Sequence, residues 1–352
     1  MRQQTRPAAK KKHFGAPMPD LKALHEDAII VDLVCPLLME KKWMPLYRAG
    51  GATAVTPTVG GWSPSGTAMK EIGSWLEHIR RSDDLILART AADIRTAKAE
   101  GKTAVILHFQ GADPVDDDLN LLNIYKALGV GIVQLTYNTR NRVADGALEE
   151  SDAGLSAFGR RLIRRCNDLR IIVDVSHTGQ RSVMEAIELN EGPIIFSHTN
   201  ASSVYACSRN ADDATLKAVA DTRGVIGVTG YPGFLVKEGE RPTIGDFANH
   251  IDKIVEVCGI DHAALAIDYY IGQNGICPDE KSIADYDQWA ETGSWGGDCY
   301  PRPPHFYPQG METPEKLPAL TEELDRRGYG AEDIRKVLGL NWLRVLEEVW
   351  GA

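Results

Sequence analysis

Two Ser-His pairs, Ser176-His177 and Ser197-His198, each end a short apolar run, RIIVDVSH from Arg170 and PIIFSH from Pro193. A third run, AALAIDYY from Ala263, carries Asp268 near its end. Neutral imidazoles are common zinc ligands, and two of them with one carboxylate give a catalytic metal site with an open coordination position. Asp268 could be that carboxylate, or the base that acts on a metal-bound water. Either histidine alone reads more simply as a satisfied core or rim residue. Two on neighbouring runs, with an aspartate two runs further on, favour a functional role. Other polar or reactive groups end other runs: Cys35 beside Pro36, Gln110, Tyr137 beside Asn138, and Tyr231.

The runs that carry these residues form a set of eight: AIIVDLVCP (from Ala28), ATAVTPTVG (Ala52), TAVILHFQG (Thr103), GIVQLTYN (Gly131), RIIVDVSH (Arg170), PIIFSH (Pro193), GVIGVTGYP (Gly224) and AALAIDYY (Ala263). Continuous apolar runs, rather than alternating ones, indicate strands covered on both faces, as in a parallel sheet under helices. Between them, TAMKEIGSWLEHIRRS, AFGRRLIRRCNDL, SVMEAIEL, ATLKAVADT and IGDFANHIDKIVEVC place apolar residues three and four apart, the spacing of one helix face. Strand and helix alternating eight times predict an α/β fold, a closed (β/α)8 TIM barrel, with an open doubly wound sheet as the runner-up. No G-x-G-x-x-G loop follows the first strand, and polar residues recur at the strand ends, where a barrel keeps its working groups. Strand alternation then turns both histidines into the barrel mouth.

Residues Gln273 to Pro314 break the rhythm, being rich in Gly, Pro and aromatics (Tyr286, Trp289, Trp295, Tyr300, His305, Phe306, Tyr307). They read as a long structureless insertion after the last strand. A lid over the catalytic face and a loop packed on the barrel or on a neighbouring subunit stand level as readings. The chain ends in AEDIRKVLGLNWLRVLEEVW, an amphipathic helical pattern.

With 352 residues, 43% hydrophobic and 25% charged, the chain is long enough for one large domain with a substantial core. Residues 1–18, basic and without the apolar stretch of a secretory signal, read as a mobile tail, and 19–352 as the barrel. A net charge of −10 argues against a nucleic-acid partner, and no window approaches the ~20 apolar residues that span a bilayer. The six cysteines lack a C-x-x-C pair, so they read as free thiols in a cytoplasmic protein.

The stretches GLSAFGRRLIRRCNDLRIIVDVSHTG, PIIFSHTNA, CSRNADD and RRGYGAEDIRKVLGLNWLRVLEEV resemble the membrane (renal) dipeptidases, a family of amidohydrolase-type barrels that cleave dipeptides with two bridged zinc ions. The resemblance runs from about Asp27 to Trp350. It implies that His177 and His198 hold the second zinc, that Asp268 touches the first and handles the water proton, and that Arg209 pairs with a substrate carboxylate. A planar guanidinium suits that last task. Tyr231 is a further substrate-contact candidate, and the resemblance, more than the insertion, allows a homodimer.

The same resemblance marks departures. Where the family reads D-G-H-N-D on strand 1, this chain has Asp32-Leu33-Val34-Cys35-Pro36, so the first-zinc positions hold Val34 and Pro36. Gln110 replaces the bridging glutamate, and a neutral amide is a weaker zinc ligand. Tyr137 replaces a histidine that stabilises the oxyanion, and it still donates a hydrogen bond. A binuclear centre is therefore not intact. Asp32 and His108 lie one step deeper and would pair with each other or recruit a metal, the pair being preferred. Cys35 reads as a core thiol. Three functions follow: a dipeptidase-like hydrolase acting on a small carboxylated amide with at most one Zn2+ at His177 and His198; a metal-free isomerase, lyase or hydrolase using His177, His198 and Asp268 for proton transfer; and a binding protein that kept the Arg209 pocket.

Overall fold

The apolar runs form short strands, every one of them paired in parallel. The structure, a computed structural model, describes residues 20–351; the tail expected over 1–18 lies outside the described residues. The strands are β1 (Val31–Asp32), β2 (Ala54–Val55), β3 (Leu85–Leu87), β4 (Thr103–Val105), β5 (Leu107–Phe109), β6 (Val130–Gln134), β7 (Ile172–Asp174), β8 (Ile226–Val228) and β9 (Ala263–Leu265).

Isolated bridges carry the barrel across the gaps between these ladders. Thr58 pairs with His108, Asp174 with Ile195, and Phe196 with Ile226, so the run around Ile195 takes the sixth place although it forms no continuous strand. The seam closes where Asp268 N donates to Val34 O at 3.2 Å and Ile267 N to Asp32 Oδ1 at 3.0 Å. The expected closed barrel is thus the fold. Two further differences from the reading of eight stand beside that: the third run is split into β4 and β5, with a register shift between Leu107 and His108, and β3 is an additional strand on the side of β4 away from β2.

Alternation divides the strand residues between two apolar clusters. Ala104, Ile106, Ile132, Ile172, Ile195, Ala264 and Ala266 pack with Trp342 and the final helix. Their neighbours Val105, Leu107, Val133, Val173, Ile194, Ile226 and Leu265 pack in the larger cluster. His108 on β5 reaches Asp174 on β7 past the intervening β6, which places this polar pair inside the barrel above the first set.

Helices at Ser65–Arg80, Ala157–Leu169, Gln180–Leu189, Asp213–Asp221 and Ile244–Cys258 match the expected periodicities. The C-terminal pattern is interrupted: helices Ala331–Arg335 and Asn341–Trp350 flank a widened turn at Lys336–Leu340. The last helix lies against the barrel strands. Trp342 Nε1 donates to Leu265 O at 2.8 Å, and Trp350 Nε1 to Gly131 O at 3.1 Å. Gly131 is required there, because a Cβ would sit 2.3 Å from the Trp350 ring.

The insertion is not structureless. It holds a helix, Asp279–Glu291, begun by Pro278 and by two acids in the first turn, which suit a helix N-terminus. All six cysteines are free, and no helix among the described residues is long and apolar enough to cross a membrane. Trp342 is fully buried and its indole has a backbone partner, so Trp342→Ala should lower stability by about 3–5 kcal/mol, read by urea denaturation; a loss below ~1 kcal/mol would mean that the last helix does not anchor the barrel.

Candidate active site

The two Ser-His ends are placed by turns and not by strand alternation. β7 stops at Asp174, and the chain turns through Ser176 to His177, whose φ is +60°. Asp174 orders this turn and its neighbour together. Its Oδ1 accepts from Ser176 N at 2.9 Å and from Ser197 N at 3.0 Å, while Oδ2 accepts from His108 Nε2 at 3.2 Å. Ser176 Oγ accepts from His198 N at 3.0 Å and lies 3.1 Å from Ser197 Oγ. Burial pushes the Asp174 carboxyl up, but its contact with His108, hydrogen bond first and charge second, leads the causes that outweigh it and bring it down to about 2.

The expected pairing of Asp32 with His108 does not occur. His108 takes Asp174 because the two share a face of the barrel, whereas Asp32 accepts from Ile267 N on the closing seam. Burial then drives Asp32 up to about 7. Cys35 is buried, with its thiol donating to Asp32 O at 3.3 Å, a core role as expected.

His177 and His198 meet with their Nε2 atoms 2.6 Å apart. Each ring is fixed from behind: His177 Nδ1 by Asn138 Oδ1 at 2.7 Å and His198 Nδ1 by Ser197 Oγ at 2.8 Å. Such outer contacts orient imidazoles that serve as ligands. Burial first, and the Arg209 charge second, hold both rings well below the ordinary imidazole value, so both are neutral. Tyr137 stacks on His177 with ring centres 4.2 Å apart, and its hydroxyl accepts from Trp295 Nε1 at 3.0 Å, leaving its own proton free to donate.

A cavity of about 290 Å³ opens over the pair. It brings together Gln110, Tyr137, His177, His198, Tyr231 and Asp268, with Pro36 also in its wall; Val34 is fully buried. Trp62, and Trp289, Trp295 and Tyr300 from the insertion, complete the wall, so the insertion covers the strand ends. Asp268 has φ +62°, and burial lifts its carboxyl well above the usual range, opposed by Arg209 and reinforced by Asp32. Asn138, His177 and Asp268 are all left-handed, a costly backbone state that gathers at functional sites.

Arg209 lines an adjoining cavity of about 250 Å³ that shares His177. Its Nε donates to Tyr300 OH at 3.2 Å, and its guanidinium lies 5.0 Å from the Phe234 ring centre. Its Nη2 is buried without a hydrogen-bond partner among the described residues. A buried donor of this kind is costly unless a ligand satisfies it.

Three residues that hold this site have no role assigned from the sequence: Asp174 inside its run, Asn138 as a polar strand end, and Tyr300 as one aromatic of the insertion. Asn138 ties the insertion to the histidines, donating through Nδ2 to Tyr300 OH at 2.8 Å and Ser294 O at 2.7 Å. Asp174 carried a legible signal, an acid inside an otherwise apolar run.

Among the described residues, no three His, Cys, Asp or Glu side chains gather as a metal-holding group. The positions that would hold a first ion carry Val34, Pro36 and Gln110, which do not fit a two-ion centre. The converging imidazoles offer two neutral nitrogen donors, which fit one ion in part.

The family described as membrane dipeptidase, peptidase family M19, matches residues 69–286 and 298–351. Dipeptidase tcpJ of Claviceps purpurea is 28% identical over 270 residues, covering 76% of this chain and 56% of its own. An uncharacterized dipeptidase of Schizosaccharomyces pombe is 32% identical over 270 residues, covering 75% and 58%. The chain thus spans a little over half the length of these two relatives. An amidohydrolase from Pseudomonas aeruginosa is similar in structure, with a TM-score of 0.82 at 34% identity over 94% of this chain and 99% of its own.

Asp174→Asn should cost about 3–5 kcal/mol, because it removes the buried charge and sets an amide in place of the carboxylate oxygen that accepts from His108. The folded carboxyl is depressed, so its contribution is present above the unfolded pKa near 4 and is lost as pH falls toward about 2. Urea titrations should therefore show the gap between wild type and variant narrowing over that interval; a gap that widens would contradict the assignment.

Proposed function

The chain belongs to the membrane dipeptidase family, peptidase family M19, and from that premise we propose that it is a dipeptidase-like hydrolase of a small carboxylated amide, working with at most one divalent ion. The observation that carries the reading is the pair of neutral imidazoles, Nε2 to Nε2 at 2.6 Å, in one cavity with Asp268 and Tyr137. Zn2+ held by His177 and His198 would supply Lewis acidity and lower the pKa of water to ~7.

The protein's own groups supply the rest. Arg209, through its unpartnered Nη2, binds the substrate carboxylate. Tyr137 donates its hydroxyl proton as a hydrogen bond to the amide carbonyl oxygen, and Gln110 and Tyr231 orient the amide from the cavity wall. Asp268, lifted well above the usual carboxylate range by burial, takes a proton from the attacking water and returns it to the leaving nitrogen. The C–N bond breaks as the C–O bond forms, giving a carboxylic acid and an amine. The aromatic insertion excludes bulk water during the transfer.

Elemental analysis after expression with added zinc should find at most one transition-metal ion per chain; two tightly held ions would overturn the ligand assignment. Hydrolysis of a panel of small carboxylated amides, with chelator and with metal restored, tests the activity itself. Simple dipeptides should be poor substrates, since losing charged ligands costs several kcal/mol of transition-state stabilisation. Arg209→Lys should raise KM by roughly tenfold with kcat little changed, as a forked contact becomes a point charge. Unchanged kinetics, or loss of the fold by circular dichroism, would assign Arg209 a structural role.

A further inference from the structure

The outer wall of the cavity is built from chain that the family match does not cover. Trp62 precedes the first matched segment, and Trp289 and Trp295 fall between the two. Yet all three line the same cavity as His177 and His198. The rings form one continuous surface with Tyr137: Trp62 to Tyr137 at 4.5 Å, Trp62 edge-on to Trp289 at 4.8 Å, and Trp289 nearly parallel to Trp295 at 6.1 Å. Trp62 and Trp289 are only half-buried, so they keep apolar surface that a ligand would cover.

Charge selects what fits against these rings. An aromatic wall takes either a flat aromatic group or a cation. Lys281 lines this cavity and holds Asp285 at 2.5 Å, while the buried Arg209 stands beside it. A cationic group would therefore meet a second cation and a carboxylate already paired.

We propose that the tryptophan wall is a clamp for a neutral aryl group, and that the preferred substrates are N-aroyl amino acids or closely related aryl amides. The aryl ring lies against Trp62 and Trp289, the amide lies over His177 and His198, and the carboxylate reaches Arg209. This assignment rests on the hydrolase reading and adds to it the chemical class of the acyl side. The amide bond is hydrolysed with water as co-reactant, releasing an arenecarboxylic acid and an amino acid.

Isothermal titration of the full chain with N-benzoylglycine and with N-acetylglycine compares the two acyl groups without requiring turnover. The benzoyl compound should bind about tenfold or more tightly, the worth of burying a phenyl ring. Trp62→Ala and Trp289→Ala should bring the ratio near one, and Trp289→Phe should keep most of it, with circular dichroism confirming the fold. Equal affinities in the wild type, or no binding of N-benzoylglycine at millimolar concentration, would overturn the proposal whatever the variants do. So would a preference that persists in folded alanine variants. If the preference holds and neither compound is hydrolysed, the clamp stands and the hydrolase reading fails.

Discussion

Nearly everything at the mouth of the barrel depends on one buried carboxylate. Asp174 accepts from the backbone of both Ser-His turns and from His108, and so fixes two loops from different strands with a single charge. A buried charge is tolerated only when its acceptor sites are filled, and here each donor is itself part of the site. The turns then bond to each other through Ser176 and Ser197, which brings the two imidazole Nε2 atoms together. Removing one donor would loosen the other turn as well, because the carboxylate would be left under-satisfied.

The second tie runs outward through Asn138. One amide holds His177 by its oxygen and the insertion by its nitrogen. Tyr300 OH accepts from both Asn138 and Arg209. The histidines, the guanidinium and the aromatic cover therefore share one hydrogen-bond network, and such networks gain rigidity as a unit. That rigidity offsets the left-handed backbone at Asn138 and His177.

The barrel was legible in the sequence because its strands lie in continuous apolar runs separated by helical periodicities, and the site residues stood out as polar ends to those runs. β3 is hard to read from the sequence because its apolar stretch, Leu85 to Ala88 between Asp84 and Arg89, is too short to carry a period. The helix Asp279–Glu291 was masked by the Gly, Pro and aromatic content around it, although its own residues contain neither Gly nor Pro. The partner of His108 could not be read at all. It depends on the register between β5, β6 and β7, which no single strand encodes. The histidines stand out as polar ends to apolar runs, although turns and not pleats aim them.

The seam between the first and last strands has a consequence for synthesis. On the side away from β2, Val34 and Asp32 find their partners at Asp268 and Ile267, and Trp342 and Trp350 press against the strands. A ribosome must therefore release the chain as far as Asp268 before the first strand has a neighbour on its open side. Until then β1 offers an unpaired edge, the kind of surface that recruits strangers. Closure across such a separation in sequence is entropically slow. The cavity likewise comes into being only once Trp289, Trp295 and Tyr300 have joined the strand ends.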